Sequence, residues 1–152
     1  MNVKDFLTNR NIPFDAIEHA PTYSAQELAQ AVHVSGEEVA KTVLLRIDDG
    51  FMVAVLPATH AVDFLRVAAF LGATHVDLAD ESDCAYRFED CELGVVPPFG
   101  SKYGVRTLVD RSLLEDDQIV FEGNTHHDAI RMSRDDYVAI EDPIIADFAH
   151  HI

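Results

Sequence analysis

Two runs of apolar residues flank an acidic turn and give the clearest structural signal in the chain. Residues Lys41–Ile47 and Phe51–Leu56 are rich in aliphatic and β-branched side chains, and Asp48-Asp49-Gly50 lies between them. Two β-prone runs around a short turn that ends in glycine are typical of an antiparallel hairpin. We therefore predict a β-hairpin over residues 41–56.

Helical spacing of apolar residues recurs in five other stretches. The first places Val3, Phe6 and Leu7 on one side, and the second follows Ser24-Ala25-Gln26-Glu27, which has the form of a capping box. Gly72 is a natural stop for the third helix and Pro143 for the fifth. The predicted helices are Val3–Asn9, Ala25–Val32, Val62–Leu71, Asp80–Arg87 and Ser133–Ile140.

The remaining β-prone stretches are short. An extended piece is predicted at Phe14–His19, and the tail Ile144–Ile152 fits neither pattern clearly. Short strands are predicted at His75–Leu78, Leu93–Val96, Val105–Val109, Ile119–Phe121 and Ala129–Met132. Helices and strands mix without a regular βαβ alternation, which favours an α+β domain over a doubly wound one.

Length and hydrophobic content indicate one globular domain over residues 1–152. The hydrophobic fraction is 48%, and a chain of this length can bury one core. No apolar run approaches the roughly 18 residues that span a bilayer, and the first residues lack the apolar core of a signal peptide. We expect a cytoplasmic protein without a membrane partner.

Charge and cysteine content narrow the classes of function. The formal net charge is −16, from 27 acidic and 11 basic side chains, which argues against broad electrostatic binding to nucleic acid but allows a small positive pocket. Cys84 and Cys91 are expected to be reduced and structural. No histidine or cysteine spacing suggests a metal ligand set, so neither a metal nor a cofactor is expected.

Lys41 is the residue that best suggests a function. With a period of two it shares a strand face with Val39, Val43 and Leu45, and we expect that face to point to the core. An ammonium group in such a place costs desolvation free energy unless it lines a polar pocket. Lys41 is therefore a candidate functional residue, although a lysine can also extend its amine from a strand end into water.

A loop with two prolines is the next candidate. It runs Gly94-Val95-Val96-Pro97-Pro98-Phe99-Gly100. The prolines fix φ and lack amide donors, while Gly94 and Gly100 allow a ligand to approach the backbone closely. The remaining backbone N–H and C=O groups of the loop could bind a polar substrate. The alternative is a stiff surface loop without a ligand.

Two further polar segments are candidates for lining a site. In Gly123–Asp128 we expect Gly123 and Asn124 to form a tight turn at positive φ, and His126 and His127 to point to opposite faces, so that only one meets a pocket. His19-Ala20-Pro21-Thr22 joins an extended piece to a helix, where polar groups often line sites. The alternatives are an exposed histidine and an ordinary turn.

Together these segments resemble the YbaK/prolyl-tRNA-synthetase-associated domain family over nearly the whole chain. The similar segments are Val39–Leu44, Val53–Ala58, Phe88–Gly100, Leu108–Asp110 and Gly123–Met132. The resemblance implies a mixed, barrel-like β-sheet flanked by helices, with a site at its mouth. It equates the family's lysine with Lys41, its Gly-x-x-x-Pro loop with Gly94–Pro98 and its histidine loop with Gly123–His126, although Asn124 stands where glycine is common.

The resemblance implies an aminoacyl-tRNA deacylase that hydrolyses the ester of a mischarged tRNA in trans. Lys41 is the catalytic candidate and would bind the terminal phosphate or the ester region, and a general-base role would need a strongly lowered pKa. The implied partner is the 3′ acceptor end of an aminoacyl-tRNA, delivered by a synthetase or an elongation factor. The substrate-binding candidates are His19, Thr22, Gly94, Val95, Val96, Pro97, Pro98, Gly100, Gly123 and His126.

Two alternatives remain open at this point. One is a non-catalytic tRNA- or nucleotide-binding module of the same fold, because the charge of −16 makes unaided capture of tRNA difficult. The other is hydrolysis of a different small acyl ester in the same pocket.

Overall fold

The computed structural model describes residues 2–152. The helices are α1 (Val3–Asn9), α2 (Ala25–Ala31), α3 (Phe64–Leu71), α4 (Glu81–Arg87) and α5 (Arg134–Glu141), with 3₁₀ turns at Gly100–Tyr103 and Arg111–Glu115. The strands are β1 (Asp15–Glu18), β2 (Ala40–Ile47), β3 (Gly50–Pro57), β4 (His60–Val62), β5 (Val76–Leu78), β6 (Arg106–Asp110), β7 (Gln118–Glu122), β8 (Asp128–Ser133), β9 (Ile144–Ala146) and β10 (Ala149–His151).

The strands form three sheets, which confirms the predicted α+β class with a mixed sheet. The largest has the order β5-β2-β3-β6-β9 and combines antiparallel pairs with the parallel pairs β3–β6 and β6–β9. A second sheet has the antiparallel order β1-β8-β7, and β10 pairs with β4. Val39, just before β2, forms a parallel bridge with Val120 of β7. This bridge brings the start of β2 beside the three-stranded sheet.

The predicted hairpin is confirmed as β2 and β3. Its antiparallel register pairs Lys41 with Leu56 and Ile47 with Gly50. Asp48 takes the left-handed conformation in the turn, with φ of 51°. Its carboxylate accepts the backbone N–H groups of Thr74 and His75, so the turn is tied to the start of the segment that leads into β5.

The third helix begins later than the sequence predicts. Val62 belongs to β4 and pairs with Ala149 of β10, because Asp63 stands between strand and helix as the N-cap. Its side chain accepts the N–H groups of Leu65 and Arg66. A short polar residue at this position ends the strand and satisfies the first helical donors. The predicted stop at Gly72 is confirmed by its φ of 68°.

The predicted strand at Leu93–Val96 is wrong. Gly94 has a φ of 90°, and Val95 donates its N–H to the Glu92 carbonyl in a turn. The valines have high β propensity, but a left-handed glycine on one side and two prolines on the other prevent a ladder. The ambiguous tail forms β9 and β10, and its end is held by the buried Asp110 carboxylate, which accepts the N–H groups of Phe148 and Ala149.

Strand β2 is covered on both faces. The face of Lys41 carries the buried Val39 and Leu45, as predicted, but Ala40 and Leu44 on the opposite face are buried too. Lys41 is only the second residue of the strand, so its amine can leave the apolar layer at the strand end. No helix among residues 2–152 is long and apolar enough to cross a membrane.

Candidate functional site

A cleft of about 300 Å³ lies where the start of β2 meets the end of β7. Its wall is completed by the N-terminus of α2, by the loop of residues 94–100 (the proline loop) and by the loop after β7. Among the candidates from the sequence, it brings together Lys41, Gly94, Val96 and His126. Among residues that the sequence did not suggest, it adds Tyr23, Thr42, Phe121 and Glu122.

Lys41 is half-buried at this cleft. Its Nζ donates to the backbone carbonyl of His60 in β4. Burial lowers the pKa of Lys41 from its ordinary value, because the charged form loses hydration. Within residues 2–152, no carboxylate lies within ion-pair distance of this amine.

Lys41 belongs to the minority of lysine and arginine side chains in the described chain that have no carboxylate partner, and it is the one among them that lines the cleft. Across the described part of the chain, seven of the other ten cations form an ion pair with an aspartate. These paired cations are Lys4, Arg46, Arg66, Lys102, Arg111, Arg131 and Arg134. Lys41 therefore keeps its charge available for a ligand that carries a negative group.

The proline loop is fixed from the side of the core. Tyr137, which is fully buried, donates its hydroxyl to the Pro98 carbonyl at 2.6 Å. Val95 and Pro97 are buried as well, and they support the backbone of Gly94 and Val96 at the cleft. The alternative of a stiff surface loop therefore fits only Gly94, because the rest of the loop is partly or fully buried.

Gly100 lies outside the cleft, and close packing explains why a glycine stands at this position. Its N–H donates to the Thr107 hydroxyl at 2.9 Å. A Cβ atom at Gly100 would lie 2.6 Å from that hydroxyl and 2.8 Å from the Val105 carbonyl. The buried Glu141 accepts from both Thr107 and Ser101 and so completes a polar network beneath the loop. The structure gives Gly100 a role in the fold and places it away from the cleft.

His126 is the histidine that meets the cleft. Its Nε2 lies 2.7 Å from the Leu93 carbonyl, which assigns the proton of the neutral ring to Nε2. Its Nδ1 lies 3.6 Å from Glu122 Oε1, and its ring lies against Tyr23 at 4.8 Å. Burial opposes its charge, but the Leu93 carbonyl and Glu122 outweigh burial and raise the pKa of His126. The neighbouring His127 is exposed and does not line the cleft.

Glu122 is the charged residue of the site that sequence reasoning missed. It is the last residue of β7, directly before Gly123, and its side chain is 19% exposed. Burial raises the pKa of Glu122, a second carboxylate at Glu92 adds to this, and His126 opposes it. The only sequence signal was a single acid at the end of an apolar strand, beside a glycine-containing loop.

The expected left-handed turn at Gly123 and Asn124 is absent, since neither residue has a positive φ. Asn124 acts through its side chain instead. Its Oδ1 accepts the Val3 N–H at 2.9 Å, and its Nδ2 donates to the Asp90 carbonyl at 3.2 Å. Gly123 is buried and donates to the Asp128 carbonyl. Asn124 therefore joins the start of α1 to the segment before the proline loop.

The candidates His19 and Thr22 support the site without lining the cleft. His19 donates its backbone N–H to the His127 carbonyl at 3.0 Å, and Thr22 donates to the His126 carbonyl at 2.9 Å. These bonds hold the His126 loop against the segment that leads into α2. The His19 Nε2 and Thr22 Oγ1 atoms are buried without hydrogen-bond partners in the described chain.

No group of three or more His, Cys, Asp or Glu side chains within residues 2–152 is arranged to hold a metal ion. The polar groups of the cleft are an amine, a carboxylate, an imidazole and hydroxyls, together with backbone groups of a rigid loop. Such a set can bind a ligand that carries both a positive and a negative charge. It can also orient a polarised carbonyl group.

A model of the aminoacyl-tRNA editing domain matches residues 19–140. This range contains every residue that lines the cleft. The match therefore covers both the sheet that carries Lys41 and the loops that carry Gly94 and His126.

Curated relatives are longer proteins. The proline–tRNA ligase of Bacillus subtilis is 28% identical over 121 residues, which is 77% of this chain and 21% of the ligase. The proline–tRNA ligase of Xanthomonas oryzae is 26% identical over 90 residues, which is 59% of this chain and 16% of the ligase. The chain thus matches about a fifth or less of the length of these ligases.

Solved structures share the fold. A hypothetical protein superposes with a TM-score of 0.88 at 21% identity, covering 97% of this chain and 99% of that one. A candidate trans-editing enzyme for prolyl-tRNA synthetase superposes with a TM-score of 0.84 at 19% identity, covering 97% and 94%. At these identities the likeness establishes the fold, which is the one that the sequence resemblance implied.

Proposed function

The chain belongs to the aminoacyl-tRNA editing domain family, and from this premise we propose that it hydrolyses the ester bond of mischarged aminoacyl-tRNA in trans. The observation that carries the proposal is Lys41, a cation without a carboxylate partner in the described chain, at the mouth of a cleft in a protein of charge −16. In this proposal the cleft receives the aminoacylated 3′ end of the tRNA.

Lys41 binds the phosphate of the terminal nucleotide in this proposal. Its amine is held by a carbonyl and has lost part of its hydration, so a phosphate group restores the stabilisation of the charged form. The contact is electrostatic and fixes the position of the 3′ end. A covalent role is not needed, because an aminoacyl ester is already an activated acyl group.

The chemical step then depends on orientation and on stabilisation of negative charge. Water attacks the ester carbonyl, its hydroxyl group stays on the amino acid, and the ribose oxygen leaves with a proton. If the neighbouring ribose hydroxyl attacks first, the acyl group moves to that oxygen, and water then cleaves the new ester in the same way. The Gly94–Pro98 segment is held by the Tyr137 hydroxyl at Pro98 and lines the cleft at Gly94 and Val96. Its backbone groups hold the aminoacyl part, and fixed dipoles at the carbonyl oxygen lower the barrier without reorganisation.

The acidic surface limits the contact to the acceptor end. Seven of the cations are paired with aspartates in the described chain and offer little to a long stretch of phosphates. We propose that a synthetase or an elongation factor delivers the tRNA. The likeness to part of proline–tRNA ligase makes the prolyl system the first one to examine.

A panel of mischarged tRNAs tests the proposal. Wild-type protein is expected to release the amino acid from at least one member, and Lys41→Ala to lose about 100-fold in kcat/KM, since a charge-assisted contact of about 1.5–3 kcal/mol is removed. Lys4→Ala is the matched control, because Lys4 is paired with Asp128 outside the cleft. If the wild-type protein clears no member of the panel, the proposal fails.

A further inference from the structure

The cleft holds two opposite charges that do not neutralise each other. Lys41 and Glu122 both line it. The Lys41 amine is bound to the His60 carbonyl, and Glu122 faces His126. Within the described residues, no ion pair joins the two, although most cations of this chain are paired with a carboxylate. A cleft that keeps its charges apart is complementary to a ligand whose own charges are separated.

The Glu122 carboxylate has unused capacity to accept hydrogen bonds. A carboxylate can accept about four, yet within residues 2–152 no donor lies within hydrogen-bond distance of it. His126 Nδ1 lies 3.6 Å from its Oε1 atom, and its side chain is only 19% exposed. A carboxylate removed from water in this way is stabilised by a cation that brings several donors.

His126 holds this arrangement in place and supplies at most one of the missing donors. Its ring is fixed by the Leu93 carbonyl on one side and by Tyr23 on the other. The neutral ring carries its proton on Nε2 and turns an unprotonated Nδ1 towards Glu122. Protonation of the ring adds a single Nδ1–H, whose nitrogen lies 3.6 Å from the carboxylate oxygen, and the other acceptor positions of Glu122 stay unused.

The 3′ end of an aminoacyl-tRNA carries the matching pair of charges. Its α-ammonium group lies next to the ester, and its phosphodiester lies on the other side of the ribose. With the phosphate at Lys41 and the ester in the cleft, Glu122 is the one carboxylate among the described residues that line the cleft, and it matches the charge of the ammonium group. An N-acylated aminoacyl-tRNA carries no ammonium group.

We infer that Glu122 binds the α-ammonium group of the aminoacyl ester and so restricts the enzyme to aminoacyl-tRNA with a free amino group. This inference rests on the proposed function and names its substrate class. An N-acylated ester offers the desolvated carboxylate one uncharged N–H in place of the three donors and the positive charge of an ammonium group, so its binding is weaker.

Kinetics on matched substrates test the inference. The substrate is the aminoacyl-tRNA cleared in the panel, compared with the same aminoacyl-tRNA after N-acetylation. We expect wild type to prefer the free amine by at least about 10-fold in kcat/KM. Glu122→Gln should lower cleavage of the free-amine substrate by about that factor and leave the N-acetylated one unchanged, so that the preference disappears.

Glu18→Gln is the matched control, because Glu18 is exposed at the end of β1 and lies outside the cleft. It should keep the wild-type preference. Unchanged cleavage of the N-acetylated substrate by Glu122→Gln reports that the fold and the reactive groups are intact. Equal loss on both substrates, or a wild type without preference, overturns the inference while the deacylase activity stands.

A binding measurement separates this inference from the proposed function. The probes are 3′-alanylamino-3′-deoxyadenosine 5′-phosphate, whose amide resists hydrolysis, and its N-acetyl form, titrated calorimetrically. Tighter binding of the free-amine probe that is lost in Glu122→Gln supports the inference even if no mischarged tRNA is cleaved. Equal binding of the two probes by wild type overturns it, whatever the panel shows.

Discussion

The proline loop (residues 94–100) and the histidine loop (residues 123–128) meet at the same cleft but are held in different ways. The proline loop is held from the core, by two ring-constrained residues and by the buried Tyr137 hydroxyl on the Pro98 carbonyl. The histidine loop is held by backbone hydrogen bonds from His19 and Thr22 and by partly exposed polar side chains, chiefly Asn124 and the pair of His126 and Glu122.

The difference indicates that the two loops have different roles in the site. A loop fixed by packing and by ring geometry presents its backbone in one position, which suits the orientation of an ester. A loop fixed by titratable and hydrogen-bonding side chains responds to pH and to a bound charge. We therefore expect changes beneath the proline loop to affect stability most, and changes in the histidine loop to affect function at smaller cost in stability.

The largest effect is expected at the end of the proline loop. Gly100→Ala places a Cβ atom 2.6 Å from the Thr107 hydroxyl and 2.8 Å from the Val105 carbonyl, and both are parts of the structure that cannot move freely. We expect the free energy of unfolding to fall by about 3 kcal/mol, the upper range for overpacking. Urea denaturation followed by circular dichroism measures it.

Gly50→Ala is the control for this substitution. The nearest atom to a Cβ at Gly50 is the Ile47 carbonyl at 3.8 Å, an ordinary contact. It should change stability by less than about 1 kcal/mol. Equal losses for the two variants would show that the close packing beneath the proline loop does not decide its stability.

The two loops also differ in how far their sequence predicted them. The prolines and glycines at 94–100 predict a rigid segment because their effect is local and covalent. The strand expected at Leu93–Val96 was wrong, since β propensity could not outweigh Gly94 and the prolines. The hairpin of β2 and β3 was confirmed because its alternating apolar residues and its turn lie within one short segment.

The chemistry of the histidine loop could not be predicted locally. Asn124 contacts Val3, which is 121 positions away in the sequence, and no local sequence pattern predicts such a hydrogen bond. Glu122 was missed because a lone acid at a strand end is usually exposed, and only the assembled cleft reveals that it is desolvated. Lys41 was found because a lysine inside an apolar strand is rare enough to be noticed.

A smaller effect is expected from Asn124→Ala in the histidine loop. The substitution removes the acceptor of the Val3 N–H and a donor to the Asp90 carbonyl. We expect a loss of about 1–2 kcal/mol in the free energy of unfolding, mainly because the N–H of the buried Val3 loses its acceptor, whereas the Asp90 carbonyl is exposed. The rate of deacylation should fall by more than the loss of folded protein accounts for, because the neighbouring His126 loses its fixed position.

Asn124→Gly is the informative companion, because glycine is the residue expected at this position from the family resemblance. Both residues fit the observed backbone, in which Asn124 has no positive φ. If Asn124→Gly keeps full stability and activity, the side-chain bonds to Val3 and Asp90 do not hold the loop. Thermal melting and the panel assay measure the two quantities side by side.

The smallest effect is the pH dependence that the histidine loop gives to stability. The folded state raises the pKa of His126, through the Leu93 carbonyl and Glu122 against the effect of burial, and burial raises the pKa of Glu122. Both groups bind a proton more tightly when folded, so the free energy of unfolding falls as pH rises. The His126 contribution is fully present below about 6.5, its ordinary pKa, and is lost as pH rises through the folded value.

His126→Gln should therefore flatten the pH profile of unfolding above pH 6.5, whereas an unchanged slope would show that the Glu122–His126 contact is absent in solution. The proline loop contains no titratable side chain, so Gly100→Ala should keep the slope that His126 gives above pH 6.5, and loss of that slope in the variant would contradict the separation of the two loops.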